Sequence, residues 1–446
     1  MNSGEQTLDL IRLFVLLVGA SVLVTLLARR AKLPYTVALV GFGIIAGSVA
    51  QPLRIDITPQ LVLVVLLPAL IFEASYQTDL GKLRSTLGSA TLLAGPGVLI
   101  CAGVIAASLH FGAGLDATQA FVVGAMLSAT DPAAVIATFK RLNSPRRLST
   151  LIEAESVFND GTGIVVFAIA VGLVTHPAGP LEVGWTFVSV VAVSAVLGAA
   201  AGYVVSRILP TMGDHLLEVS LSLVLAYGTY LAADALHQSG VIATAVAGIV
   251  LGSYGRRRGL SERTEEALDT VWEFTAFLAT AFIFLAVGFA ISIRSLADVA
   301  VPICWAVAGA LAGRALIVYG LVGGWRWLSH YTVRLHRRSG RSGLPGAPGP
   351  ESKDAASRID PLPTAWLHIV FWSGLRGAVS TALALSLPID FPNRATLQGI
   401  TFGVVLFTLV VQATTVEQAV HRWSGTRDAE PACSTADTTA SAETAP

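Results

Sequence analysis

Long apolar runs, broken at short polar, charged or proline-bearing segments, recur along nearly the whole chain. A helix that crosses a bilayer needs about 20 mostly apolar residues. Cut at its breaks on that scale, the sequence yields thirteen spans, near 8–28, 35–50, 60–77, 86–110, 117–138, 148–175, 182–208, 214–236, 238–252, 270–293, 297–321, 364–387 and 395–419. The pattern predicts an all-α polytopic membrane protein of about 13 transmembrane helices, its membrane domain filling residues 1–420. No basic stretch precedes the first apolar run, whereas Arg29, Arg30 and Lys32 follow it. A retained first span fits this better than a cleaved leader.

Composition agrees: 54% of residues are hydrophobic and 13% charged, against about 25% charged in soluble domains. Positive charge tests the cut independently, because Lys and Arg gather in cytoplasmic loops. With the N-terminus outside and the C-terminus cytoplasmic, 23 of the 29 basic residues fall in inward segments and only Arg54, Arg294 and Arg394 face outward. A plasma (inner) membrane is the expected location. Net charge is zero, so no field draws nucleic acid; the partner is the lipid bilayer. The three cysteines, Cys101, Cys304 and Cys433, form no CxxC and sit with no histidine at ligand spacing, so neither disulfides nor a resident metal or other cofactor is expected. Residues 328–363, rich in Gly, Pro, Ser and charge, read as a disordered cytoplasmic linker, and 421–446 as a disordered tail.

Charges inside spans need a purpose, since one at the bilayer centre costs about 2.5–3.5 kcal/mol on insertion scales. Asp131 in the fifth span and Asp160 in the sixth both fall near the midplane, and Glu73 lies in the third. Pro132 follows Asp131, and proline pushes its predecessor out of the helical region. Unpaired carbonyls near Ser128 to Thr130 are therefore expected beside a carboxylate, a ligand set for a cation. In the sixth span the i,i+4 pairs Glu155–Asn159 and Ser156–Asp160 put four polar groups on one face. Glu155 can pair with Arg314 of the eleventh span; Asp160 and Ser156 are expected to face the opened backbone of the fifth.

The twelfth span is interrupted by Gly374, Arg376 and Gly377. If the helix unwinds there, the guanidinium compensates the negative ends of broken half-helices. Spans five and twelve are seven apart and so cross in opposite directions. Two inverted six-helix repeats, 1–6 and 8–13, follow, with discontinuous helices 5 and 12 crossing at a midplane site.

Four segments carry a resemblance: SATDPAAVIATFKRLNSPRRL, EAESVFNDGTGIVVF, GRALIVY at 313–319 and FWSGLRGAVSTALALSLP, in that order. With them the chain resembles the sodium/proton exchanger branch, bacterial type, of the monovalent cation:proton antiporters. The resemblance implies a homodimer, with helices 1–3 and 7–10 as scaffold and dimer side and helices 4–6 and 11–13 as ion-binding core. It makes Asp160 the central carboxylate, with Asn159 as its partner in the cation- and proton-binding set, Asp131, Ser156, Glu73 and the Thr130 carbonyl further ligands of the monovalent cation, and Glu155, Arg314 and Arg376 a structural charge network. In that family an acid at the Asn159 position goes with movement of an extra charge, so Asn159 implies electroneutral exchange.

Carboxylates that hold either a cation or a proton, exposed alternately to the two sides, turn competition into exchange. The transported ions that the resemblance implies are sodium and the proton, with potassium or lithium as alternatives, and the role it implies is pH and sodium homeostasis. A cation channel would also line a pore with carbonyls and acids, but paired interrupted helices in inverted halves favour a transporter. An enzyme is not expected: no HExxH, paired GxGD-type aspartates or activated Ser or Cys is present.

Overall fold

The structure, a computed structural model, describes residues 3–31, 34–49, 60–78, 92–142, 145–175, 179–257, 260–291, 293–322, 324 and 363–423. Each of the thirteen expected spans coincides with a helical rod, and no strand occurs among the described residues. In chain order these are α1 (Ser3–Ala31), α2 (Tyr35–Val49), α3 (Leu67–Tyr76, entered through the π turn Leu61–Leu66) and α4 (Pro96–Ala113). Next come the half-helices α5a (Ala117–Met126) and α5b (Ala133–Leu142), then α6 (Arg146–Thr175), α7 (Pro180–Ile208) and α8 (His215–Ala235). The rest are α9 (Gly240–Val250), α10 (Glu262–Ala290), α11 (Ala300–Ala315), the halves α12a (Thr364–Trp372) and α12b (Ala378–Leu385), and α13 (Arg394–Phe407). π turns extend α9 over Leu251–Gly255, α11 over Leu316–Val322 and α13 over Thr408–Gln412, after which α13 continues through Ala413–Trp423.

Several ends differ from the hydropathy cut, each for a local reason. Helix α4 runs to Ala113 because the chain stays helical until Gly114, whose φ of 71° closes it. Helix α10 starts at Glu262, where Ser261 caps it by accepting from Thr264 N–H; its polar first turns escape an apolar window. Asp116 caps α5a through the N–H groups of Thr118 and Gln119. The Thr118 hydroxyl and the Gln119 N–H hold this loop carboxylate below its usual range. The disordered tail expected from residue 421 begins too early: α13 stays helical through Trp423, whose ring lies 5.2 Å from that of His368. The linker 328–363, apart from Pro363, and the tail beyond 423 lie outside the described residues.

The packing itself repeats. α2 packs on α10 as α9 packs on α3; α1 on α2 as α8 on α9; α1 on α10 as α8 on α3; α5a on α6 as α12a on α13; and α4 on α6 as α11 on α13. Adding seven to a helix number maps one contact onto its partner, which is the signature of an inverted repeat of 1–6 and 8–13. α4 pairs with α11, and α3 with α10, across the pseudo-axis. The contacts also gather into two groups: α4, α5, α6, α11, α12 and α13 pack mutually, and α1–α3 with α7–α10 do likewise.

Lipid tails are as apolar as leucine, so helices in a bilayer associate through close packing rather than expulsion of water. Seven of the described helices are long and apolar enough to cross a membrane. The contact of α2 with α10 closes on Gly43, where an added Cβ would stand 2.7 Å from Gly288 Cα and 2.8 Å from Leu285 O, both rigid backbone. Gly228, exposed on α8, would meet only Val224 Cγ1 at 3.9 Å. Gly43→Ala is expected to destabilise by about 1–3 kcal/mol through overpacking, whereas Gly228→Ala is expected to be neutral or to stabilise, since alanine is the better helix former. Melting curves of the two detergent-purified variants check the contrast; equal melting points would refute it.

Candidate functional site

Helix α5 does not kink at Pro132; it stops. Met126 ends α5a, six residues run without helical structure, and α5b resumes with Ile136 N–H bonding to Pro132 O at 2.8 Å. The carbonyls expected to be unpaired are not. Ser128 O and Ala129 O each accept from Arg376 Nη1 at 3.2 Å, Ala129 O accepts also from Ser380 Oγ at 3.3 Å, and Thr130 O accepts from Ser156 Oγ at 2.6 Å. Burial without water demands such partners. A carbonyl has two lone pairs, so Thr130 O keeps one.

Helix α12 breaks between Trp372 and Ala378, and the two breaks meet. Asp131 N–H donates to Leu375 O at 2.8 Å, and Ala378 N–H donates to Asp131 Oδ2 at 3.2 Å. Asp131 thus serves as acceptor at the positive N-terminus of α12b, where a carboxylate is favoured. Gly377 makes the approach possible, because a Cβ there would overlap the Asp131 carboxylate. Arg376 is 1% exposed, and its side-chain hydrogen bonds go to neutral groups: the two α5 carbonyls and, through Nη2, Cys101 Sγ at 3.3 Å. Thr408 Oγ1 accepts Arg376 N–H and bonds Arg376 O, both at 3.1 Å.

Helix α6 supplies the third wall, with Asp160 at its middle. The Glu155 carboxylate and the Arg314 guanidinium form a two-point ion pair, Nη2 to Oε2 at 3.0 Å and Nη1 to Oε1, and Arg314 also donates to Val370 O of α12a from Nε and Nη2. Both side chains are buried. The guanidinium passes over Gly374, where a Cβ would come 2.9 Å from Nε. Asn159 reads both faces of Thr130: Oδ1 accepts from Thr130 N at 3.2 Å and Nδ2 donates to Thr130 Oγ1 at 2.6 Å. Asp160 is half-buried and lies in the fields of Asp131 and Glu155. Its Oδ1 is buried without a hydrogen-bond partner.

Of the nine residues singled out in the sequence, Thr130, Ser156 and Asn159 bond one another, Asp131 and Arg376 bond the facing break, and Glu155 and Arg314 pair beside them, with Asp160 in the fields of Asp131 and Glu155. Glu73, on α3, is half-buried and accepts from Gln77 Nε2 at 2.5 Å, while Tyr35 of α2 lies in the fields of both Asp131 and Glu73. Sequence reasoning missed Cys101, Ser380 and Thr408. A lone hydroxyl or thiol in an apolar span gives no pattern, and Leu375 and Ala378 act through backbone alone.

The profile of the family described as "Sodium/hydrogen exchanger, transmembrane" matches residues 16–422. The chain belongs to this family. It is 35% identical over 413 residues to the low-affinity Na(+)/H(+) antiporter NhaS1 of Synechocystis sp., covering 91% of this chain and 73% of that one. To the Na(+)/H(+) antiporter NhaH of Halobacillus aidingensis it is 34% identical over 426 residues, covering 92% and 96%. The fold is that of the sodium proton antiporter MjNhaP1 from Methanocaldococcus jannaschii, with a TM-score of 0.73, 20% identity, and 94% and 99% of the two chains covered. Membership makes this exchanger-family chain a multi-pass membrane transporter.

In this exchanger, breaking the Glu155–Arg314 pair strands a buried charge, a loss of about 3–5 kcal/mol. Glu155→Gln and Arg314→Ala are both expected to lower folded yield and melting temperature. Normal melting together with lost transport would place the pair in the ion path instead.

Proposed function

We propose that this protein is a secondary active antiporter that exchanges sodium for protons across the plasma membrane, one for one, in the service of pH and sodium homeostasis. The observation that carries the proposal is Asp160 Oδ1, a carboxylate oxygen at mid-helix, buried, unpartnered and in the field of a second carboxylate, Asp131. A carboxylate so placed needs a cation or a proton. Family membership and the names of the relatives support sodium as that cation.

Asp160 and Asp131 hold the ion, with Ser156 Oγ and the free lone pair of Thr130 O as further ligands. Asn159 holds Thr130 in place, and Glu73 is a ligand along the approach from α3. Sodium and a proton compete for the same oxygens, so binding of one releases the other. The helices that pack with the crossing, α4, α5, α6 and α11 to α13, form the moving core. The other group is the scaffold and carries the homodimer interface. The N-terminus is outside and the C-terminus cytoplasmic.

Charge balance favours one-for-one exchange. Within the moving core, which excludes Glu73 on the scaffold helix α3, Glu155, Asp131 and Asp160 against Arg314 and Arg376 leave one negative charge, which one sodium ion or one proton neutralises equally. Both loaded cores then cross the membrane field uncharged. Neutral Asn159 adds no second titrating acid.

Two measurements test the reading. Asp160→Asn keeps the shape and removes the charge, so an inserted, folded protein with sodium-driven pH change in proteoliposomes reduced to background is expected; near-normal flux would refute the site. For the native chain, initial exchange rates under potassium–valinomycin clamps, with sodium and pH gradients fixed, are expected not to vary with voltage. A reversal point that moves with potential would refute one-for-one exchange.

A further inference from the structure

Arg376 has a donor the crossing does not use. Its Nη1 holds the α5 carbonyls and its Nη2 meets Cys101, but its Nε is buried without a partner. Gln412, the last residue of the π turn in α13, presents the converse: Oε1 is buried and likewise unpartnered. An unpaired donor and an unpaired acceptor are each costly in the interior. Both side chains line one cavity between α11, the α12 break and α13. Its polar wall is Arg314, Arg376, Thr408 and Gln412, its remaining wall Gly374 and aliphatic or aromatic groups. The cavity has room for one water molecule.

The π turn explains how these groups come to share it. Thr408 and Gln412 stand at its two ends, and both are buried, at 3% and 2% exposure. Thr408 is tied to the Arg376 backbone at the N–H and the carbonyl. No hydrogen bond joins Gln412 directly to the Arg376 side chain. A water needs two to four polar partners, and Arg376 Nε, Gln412 Oε1 and the second lone pair of Thr408 Oγ1 supply them.

We propose that this cavity is a binding site for one water molecule held between Arg376 Nε and Gln412 Oε1, and that Gln412 acts through it as a positioning residue for Arg376. The link fixes the guanidinium from behind while its Nη1 holds the Ser128 and Ala129 carbonyls in front. Gln412 thereby sets the geometry of the α5 break without touching the ion.

The test has a structural arm and a transport arm; only the second rests on the proposed roles of Asp131 and Asp160. In maps of the full chain in lipid nanodiscs that resolve ordered water, density bridging Arg376 and Gln412 is expected in chloride and in gluconate buffers alike, and is expected to vanish in Gln412→Leu. No density in the native protein, or density in chloride alone, which marks a halide, would overturn the proposal. In proteoliposomes, Gln412→Leu is expected to raise the KM for sodium about fivefold as the arginine loosens. Gln412→Asn, which keeps a neutral amide acceptor facing the cavity, is expected to stay within about twofold of the native value. An unchanged KM in Gln412→Leu, or equal damage in both variants with lowered melting, would overturn the positioning role. Should Asp160→Asn transport normally while the water density is present, the site assignment falls and the water remains.

Discussion

Everything at the centre of this protein depends on two interrupted helices completing each other's backbone. Asp131 N–H bonds Leu375 O, Ala378 N–H bonds the Asp131 carboxylate, and Arg376 holds Ser128 O and Ala129 O. In a bilayer no water stands ready to satisfy an opened helix, so a break survives only where protein supplies the partners. The crossing meets that condition reciprocally, and neither break is stable without the other. Ser156, Asn159 and Thr408 then finish the groups that the crossing leaves, on Thr130 and on Arg376. What remains when these partners are assigned is Asp160 Oδ1, which among the described residues is a buried carboxylate oxygen with no hydrogen-bond partner.

The charges divide by the same logic. Arg314 and Glu155 neutralise each other through two contacts, and Arg314 spends its remaining reach on Val370 O, tying α6 and α11 to α12a. Arg376 instead faces carbonyl dipoles and a thiol, which leaves its full charge to balance the aspartates. A buried pair that is complete contributes shape; a buried charge that is incomplete contributes binding. The position of Glu155 one residue before Ser156 on the same helix keeps the two functions adjacent yet separate.

Much of this was legible in the sequence because bilayer physics writes it there. Thirteen spans, two breaks seven helices apart and acids at mid-span all follow from the cost of polar groups in hydrocarbon. Asp-Pro in α5 and Gly-Leu-Arg-Gly in α12 marked the breaks, but not their form. Hydropathy says that a helix is interrupted and is silent on what catches the freed backbone, so the carbonyls of Ser128 to Thr130 read as open when Arg376, Ser380 and Ser156 already hold them. Thr408 and Cys101 sit singly in apolar runs and act by contact across long sequence separations. Helix ends such as Glu262 and Trp423 extend beyond the apolar window because capping and aromatic packing, not hydropathy, end those helices.

The inverted repeat sharpens the reason for the charges at the crossing. Helices 5 and 12 occupy related places, and a symmetric ancestor of such a pair would present the same groups at both breaks. Here the α5 break carries an acid and the α12 break a base. The acid meets the positive N-terminus of α12b, and the base meets the carbonyls beyond the negative C-terminus of α5a. Two acids would have left both carbonyl ends unanswered and doubled the negative charge; two bases would have repelled the cation. Only the mixed pair satisfies both breaks while leaving a single negative charge, on the α6 side, for a cation or a proton to cancel. The departure from symmetry, rather than the symmetry, is therefore what lets each break answer the other.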